Sequence, residues 1–408
     1  MYQVVRRAVV CAGPRLGTFK GPFNSFSGER LVSFVIATSP FGSLAPPFLN
    51  PADIRLSPHR FICFVTRRAP VFGLGCSKLG TKATTRMNTN VAIIGSTGQN
   101  AAAWTDAFIA AGFTIRNLVR FPEQLVHRAG RHSARLDLDD SSTFQPALKG
   151  IHTLGLITPS HPDQVKREVG LIYAAKQAGV RRIIKLSVIG ADFVCPISAF
   201  ARWHANVEDV LRTSGVAHVI LRPNFFMQNT LLQKASIEAG IYAEPIATGS
   251  ISYVDVRDVA DVAVAVSRGS LDDQALSLTG REAIGGERVS ALLSQVTGKR
   301  VRFVSPDLQS FRSALADGKV PDWHIDALAE LYSRVQAGRA SHVSSITCDI
   351  ENLTGKRPRS FLEFARDAFD ARGGRRRSAR PTAARRVSGH LFNHDLSRDP
   401  ERPVGFRL

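Results

Sequence analysis

The 408-residue chain is poor in several things, and each shortage excludes something. It has only five cysteines (Cys11, Cys63, Cys76, Cys195 and Cys348), with no C-x-x-C pair and no metal-ligand spacing. A sparse, odd set argues against a disulfide scaffold, suits a reducing compartment, and leaves no metal site to expect. No apolar run approaches the ~18 residues of a membrane helix; the apolar stretches 31–38 and 60–65 are far too short. Acidic residues are scarce at both ends. Residues 1–86 carry 12 Lys+Arg against 2 Asp+Glu, and residues 371–408 carry 10 against 3. Residues 87–370 carry 31 against 29. The formal charge of +19 therefore sits at the ends, and the near-neutral middle gives no support to nucleic-acid binding. The expected setting is cytoplasmic.

Residues 1–86 show no sustained helical or strand period and are rich in Arg, Ser, Phe, Pro and Gly. They read as an unstructured or spurious extension ahead of a start at Met87, or as a targeting segment, which the prolines and glycines disfavour. From Arg372 the composition becomes Arg, Gly, Ser and Pro, so 371–408 reads as a disordered basic tail.

What is present in the middle is a repeating order of strand, turn and helix. Val91–Ala101 runs V-A-I-I-G-S-T-G-Q-N-A into a helical stretch that ends at Gly112. This is a buried strand, a glycine turn (Gly95, Ser96, Thr97, Gly98) and a helix start at Gln99 and Asn100. Free N–H groups and the helix dipole at such an end suit a pyrophosphate. Gly95 permits the turn, Gly98 lets the backbone approach phosphate, and the small Ala101 allows close packing. A second strand over 114–119 ends at Arg120, where an NAD site places a carboxylate for the ribose 2′-hydroxyl. With Arg116 nearby and no acid at that position, NADP(H) is favoured over NAD(H). Strands follow at 133–138, 151–158, 181–187 and 217–221, with helices at 162–178 and 199–214. A short helix is expected from Ser141 as N-cap. Asp137 and Leu138 would flank the adenine, and Thr158 the middle of the cofactor. Lys185 lies on the opposite strand face from Leu186, toward either cofactor or interior. The alternation predicts an α/β fold with a parallel sheet covered on both faces.

These motifs resemble the NmrA-like family of atypical short-chain dehydrogenase/reductases, which includes NAD(P)H-dependent quinone and azo reductases. The matching runs are Gly95-Ser96-Thr97-Gly98, Leu118-Val119-Arg120, Asp137-Leu138-Asp139-Asp140, Lys185-Leu186-Ser187 and Arg202-Trp203-His204-Ala205. Leu221-Arg222-Pro223-Asn224 and Tyr253-Val254-Asp255-Val256-Arg257-Asp258 match as well, over about 88–370 in all. The resemblance implies a Rossmann-type doubly wound parallel sheet over 87–235. It also implies a smaller C-terminal α+β substrate region over 236–370, with strand return to the main sheet expected at 251–256. The implied function is NADPH-dependent reduction of a quinone-like, azo or other conjugated acceptor. The alternative is a non-catalytic NADP(H)-binding redox sensor acting through a protein partner. The expected partners are a small-molecule acceptor and either a second copy of the chain or a regulatory protein, with no membrane.

Reductases of the larger superfamily use a Tyr and a Lys four residues later; here Tyr173, Tyr242 and Tyr253 are followed by Gln177, Ile246 and Arg257. Two other catalytic candidates remain. Ser187 closes the fifth strand, where its hydroxyl would meet a substrate carbonyl or cap the strand. His204 lies on the next helix beside Trp203, with Glu208 one turn on as its orienting partner; the pair would serve catalysis or stand on the surface. Phe225, Phe226 and Met227 suit either an acceptor wall or the core, and Trp323 faces either pocket or core.

Overall fold

The computed structural model describes residues 90–369, apart from 96–97, 125–130, 194–195, 197 and 270. The extension, Met87, the basic tail, Ser96 and Thr97 lie outside the described residues.

Strand β1 (Asn90–Ile94) shows how the layers arise. Val91 and Ile93 enter one apolar layer, and Ala92 and Ile94 enter the other. Side chains alternate along a strand, so a continuous apolar run buries both faces at once. Strands β4 (Thr153–Leu156), β5 (Arg182–Leu186) and β6 (Ala217–Pro223) are likewise buried along most of their length, β2 (Thr114–Val119) is buried at Ile115 and from Asn117 on, and β3 (Arg131–Arg135) is a polar edge strand. All pair in parallel, in the order β3-β2-β1-β4-β5-β6, with the later β9 (Gln274–Leu278) beside β6. The order reverses between β1 and β4, and ligands of such sheets lie beyond the strand C-termini at that point.

On one face lie α1 (Gln99–Ala110) and α6 (Val256–Arg268), packed through Trp104, Phe108, Val259 and Ala263. The other face carries α2 (Phe144–Leu148), α3 (Gln164–Gln177) and α4 (Ala199–Thr213), which bury Phe144, Leu171, Ile172, Val207 and Leu211. Trp104 lies flat against β4 because Gly155 has no Cβ: one there would sit 3.3 Å from the indole.

A third apolar cluster joins Met227, Tyr242, Ile251, Tyr253, Leu292, Leu293, Phe361 and Phe364. It gathers α5 (Lys234–Glu238), β7 (Ile241–Ala243), β8 (Ser250–Ile251), β10 (Ile284–Gly285) and α7 (Gly286–Thr297). The remaining elements are β11 (Arg302–Val304), α8 (Leu308–Asp317), α9 (Asp322–Gln336), α10 (Asp349–Thr354) and α11 (Phe361–Phe369). A Ser360–Glu363 capping box forms at the start of α11: Ser360 N donates to Glu363 Oε2 (2.7 Å) and Glu363 N to Ser360 Oγ (3.2 Å).

Strand return occurs, but not where the pattern placed it. Residues 251–256 do not join the main sheet: β8 pairs antiparallel with β10, Val254 makes one bridge to Phe226, and Asp255 caps α6. The returning strand is β9, with Leu276 opposite Leu221. Both segments are apolar enough to be strands; the pairing partner decides. Among the described residues no helix is long and apolar enough to cross a membrane.

Candidate functional site: the strand ends and a buried polar layer

The glycine turn follows directly from β1. Gly95 has φ +72°, donates to Leu118 O at 3.0 Å, and accepts from Gly98 N at 2.9 Å. That φ explains glycine at 95. Gly98 is different: at φ −80°, ψ 156° any residue is comfortable, and a Cβ would make only an ordinary 3.5 Å contact. Among the described residues nothing demands glycine there. Helix α1 begins at Gln99 with no side-chain cap and no acidic residue in its first turn, so its first N–H groups are uncovered. Asn100 Oδ1 is buried with no partner. The residues present fit a dinucleotide: the pyrophosphate suits the N–H groups, and Asn100 offers an unmatched acceptor.

At the next strand ends the structure departs from the sequence pattern. Arg120 does not stand without acids. Its Nε lies 3.4 Å from Asp137 Oδ1 and its NH2 3.3 Å from Asp139 Oδ2, because β2 and β3 end side by side. Arg167 of α3 also holds Asp139, at 2.6 Å. Arg116 takes no part: its NH1 donates to Ala147 O and Lys149 O, at 3.0 and 2.8 Å. Leu138 is half-buried against the α2–α3 layer. The helical N-cap is Asp140 rather than Ser141; its carboxylate accepts from Ser142 N at 3.1 Å.

Beyond β4 and β5, under α3 and α4, lies a polar layer that the apolar patterns hid. On β5, Ile184 and Leu186 face the α1 side, so Lys185 must face α3 and α4. It is fully buried. Its Nζ lies 2.8 Å from Glu168 Oε2, 2.5 Å from Leu186 O and 3.0 Å from His204 Nδ1. Two of the ammonium's three protons have hydrogen-bond acceptors, Leu186 O and His204 Nδ1, and Glu168 is its ion-pair partner. Of the two directions open to Lys185, the structure shows it facing the interior, against His204 and Glu168. Glu168 Oε1 accepts from Thr158 Oγ1 and, at 2.9 Å, from Gln164 Nε2. With its one proton directed inward, Thr158, which is part-exposed, offers a ligand an acceptor.

His204 is 6% exposed, which removes the surface reading. Its expected partner is also corrected. Glu208 accepts instead from Ser187 Oγ (2.6 Å), Arg222 NH2 (2.5 Å) and Arg212 NH2 (2.6 Å), while His204 meets Lys185 and Gln164. Burial and the Lys185 charge hold the imidazole pKa well below its usual value, so His204 is neutral. The core-facing stripe of α4 is Ala201, His204, Val207, Glu208 and Leu211, and Trp203 lies off it, half-buried.

Ser187 is 2% exposed and its proton goes to Glu208, so it offers no donor to a substrate carbonyl. Burial raises the Glu208 pKa, but Arg222, Ser187 and Arg212 outweigh it and hold the carboxyl below its usual range. Arg222, bonded also to Asp192 at 2.8 Å, ties the loop after β5 to β6.

The N-termini of α3, α4 and α9 meet in an aromatic group. Trp323 stands 5.9 Å from both Trp203 and His161, and Phe200 5.4 Å from His324. Glu330 of α9 accepts from Ala199 N at 2.9 Å and pairs with Arg202 at 2.7 Å, fixing α9 to α4. Met227 lies in the third cluster and Phe225 packs against it; Phe226 packs against the α1-side layer. All three therefore serve the core.

Sequence reasoning missed Gln164, Glu168, Arg222 and Glu244. Glu244, 7% exposed, accepts from Tyr253 OH (2.5 Å), Tyr332 OH (3.2 Å) and Tyr242 OH. The usable signal was polar residues on otherwise apolar stripes: Gln164 and Glu168 share α3's buried face with Leu171, Ile172 and Ala175.

With this geometry in hand, the chain was compared with known proteins. The NmrA-like family model matches residues 87–365. The NAD(P)H azoreductase of Xenophilus azovorans is 31% identical over 280 residues, 68% of this chain and 96% of the relative. The (4-alkanoyl-5-oxo-2,5-dihydrofuran-3-yl)methyl phosphate reductase of Streptomyces griseus is 30% identical over 286 residues, 69% of this chain and 98% of the relative. Among solved structures, the NADPH complex of the Escherichia coli NADPH-dependent quinone oxidoreductase superposes with a TM-score of 0.61 at 25% identity, covering 68% of this chain and 99% of that one. The chain belongs to the NmrA-like family.

Proposed function

We propose that this protein is an NADPH-dependent reductase of quinone-like, azo or other conjugated acceptors. The observation that carries the reading is a cofactor-ready glycine turn in a chain whose relatives, matched over nearly their full length, are an azoreductase and a reductase of a conjugated lactone. The bound nicotinamide supplies the hydride, and the acceptors are already electrophilic, so the protein's part is binding, orientation and a hydrogen bond.

In this reading residues 87–235 bind the dinucleotide and 236–370 shape the acceptor site, with α6 and β9 returned to the first part. The α1 start holds the pyrophosphate, and Asn100 accepts from a ribose hydroxyl. Arg120 takes the 2′-phosphate, which favours NADPH; its exposed ion pairs are each worth only about 0–1 kcal/mol, so it is easily redirected. Thr158 accepts from the nicotinamide end, and His204 donates toward the acceptor. Ser187 holds Glu208 and Arg222 in place.

The missing Tyr–Lys pair favours a second reading, a dinucleotide sensor with a protein partner. Titration with NADPH and NADH, followed by a screen of quinones and azo dyes, separates the two. NADPH oxidation dependent on acceptor supports the reductase; tight binding with no oxidation above background rejects it in favour of the sensor.

A further inference from the structure

His204 Nδ1 is approached by Lys185 Nζ at 3.0 Å, and Gln164 Nε2 lies beside the ring, 3.2 Å from Nδ1 and 3.3 Å from Nε2. Lysine Nζ can only donate. The Gln164 amide is oriented by Glu168 Oε1, an acceptor at 2.9 Å, so the atom facing His204 is its NH2. Lys185 Nζ is aimed at Nδ1 with no acceptor beside it, while the Gln164 amide, nearly equidistant from the two ring nitrogens, is in line with neither. A proton on Nδ1 would face the Lys185 ammonium, which excludes the Nδ1–H tautomer and the imidazolium alike. The proton of the neutral ring is left on Nε2, and among the described residues no acceptor takes it. Gln164 Oε1, on a residue 1% exposed, also has no partner. The layer thus leaves Nε2–H without an acceptor, and Gln164 Oε1 and Glu168 Oε2 without a hydrogen-bond donor.

We infer that the buried Glu168–Lys185 pair is a positioning device that locks His204 as the neutral Nε2–H tautomer, making Nε2–H a fixed hydrogen-bond donor for the acceptor's carbonyl oxygen or azo nitrogen. This rests on the reductase reading for its ligand, not for its geometry. Glu168 orients both donors: it holds Lys185 at 2.8 Å and the Gln164 amide at 2.9 Å. The groups facing His204 are Lys185 from β5 and Gln164 and Glu168 from α3. On its own helix Glu208 is already engaged by Ser187, Arg212 and Arg222. A neutral donor held this way does not change charge across the range where a free histidine titrates, around pH 6.5.

The test is nitrogen-15 histidine NMR on the full chain, with the His204 resonance identified by its loss in His204→Gln. The expected result is an Nε2–H tautomer with no titration between about pH 5.5 and 7.5. In the charge-free pair Lys185→Met with Glu168→Gln, chosen because Lys185→Met alone leaves Glu168 buried and unpaired, the lock is released. His204 should then titrate or mix tautomers, and kcat for a quinone should gain an acid limb while the NADPH Kd stays within about threefold. An Nδ1–H tautomer in the wild type, ordinary titration near pH 6.5, or no change in the double variant overturns the inference. Lack of quinone reduction with the lock intact overturns only the reductase reading.

Discussion

Replacing Arg120 with alanine should weaken NADPH binding and leave NADH binding nearly untouched. In the free protein the guanidinium is held by Asp137 at 3.4 Å and Asp139 at 3.3 Å, and is 36% exposed. Such pairs contribute about 0–1 kcal/mol. Hydrogen bonds to a charged partner contribute about 1.5–3 kcal/mol. The difference, about 0.5 to 3 kcal/mol, corresponds to about a 2- to 160-fold rise in the NADPH dissociation constant. Asp137 and Asp139, left without Arg120, would also repel the 2′-phosphate, so the upper part of that range is expected. NADH lacks the phosphate, and the freed Asp137 becomes able to accept its 2′-hydroxyl, so its constant should stay level or fall. Fluorescence titration of both reduced cofactors against both proteins measures this directly. An equal loss for NADPH and NADH would refute the assignment of Arg120 to the 2′-phosphate.

Further substitutions test other parts of the reasoning. Gly98→Ala should leave thermal stability unchanged, since the backbone and the 3.5 Å contact tolerate a methyl, yet weaken both dinucleotides; unaltered binding would mean that no ligand passes there. Gly95→Ala should cost about 1–2 kcal/mol of stability in urea melts, because φ is +72°. Glu244→Leu strands three buried tyrosine hydroxyls and should cost more than 3 kcal/mol by denaturation, at about 1–3 kcal/mol each, whereas Glu244→Gln should retain most of the stability; equal losses would reject the acceptor role. Burial raises the Asp258 carboxyl from 3.8 to about 6 against the pull of Arg359. The folded protein therefore holds that proton more tightly, and the stability Asp258 contributes is full below about pH 4 and falls as pH rises toward 6. Asp258→Asn should flatten that slope; identical slopes in wild type and variant would contradict it.

By itself, the sequence determined what depends on neighbours along the chain. Apolar strands, glycine-ended helices and the β1–turn–α1 unit were legible because periodicity and turn chemistry are local. The strand over 114–119 and the helix over 199–214 emerged within a residue of where periodicity placed them. Only the tertiary structure decided which strand completes the sheet, since β9 and the 251–256 segment are alike in composition and differ in what they meet. Only it gave Arg120 its carboxylate neighbours, which arrive from the segment after β3. It also gave Lys185, Ser187 and His204 their partners. A polar residue on an apolar stripe is intelligible only with its partner, and the side-chain partners of Lys185, Ser187 and His204 lie 17 to 40 residues away, on strands and helices that folding brings together.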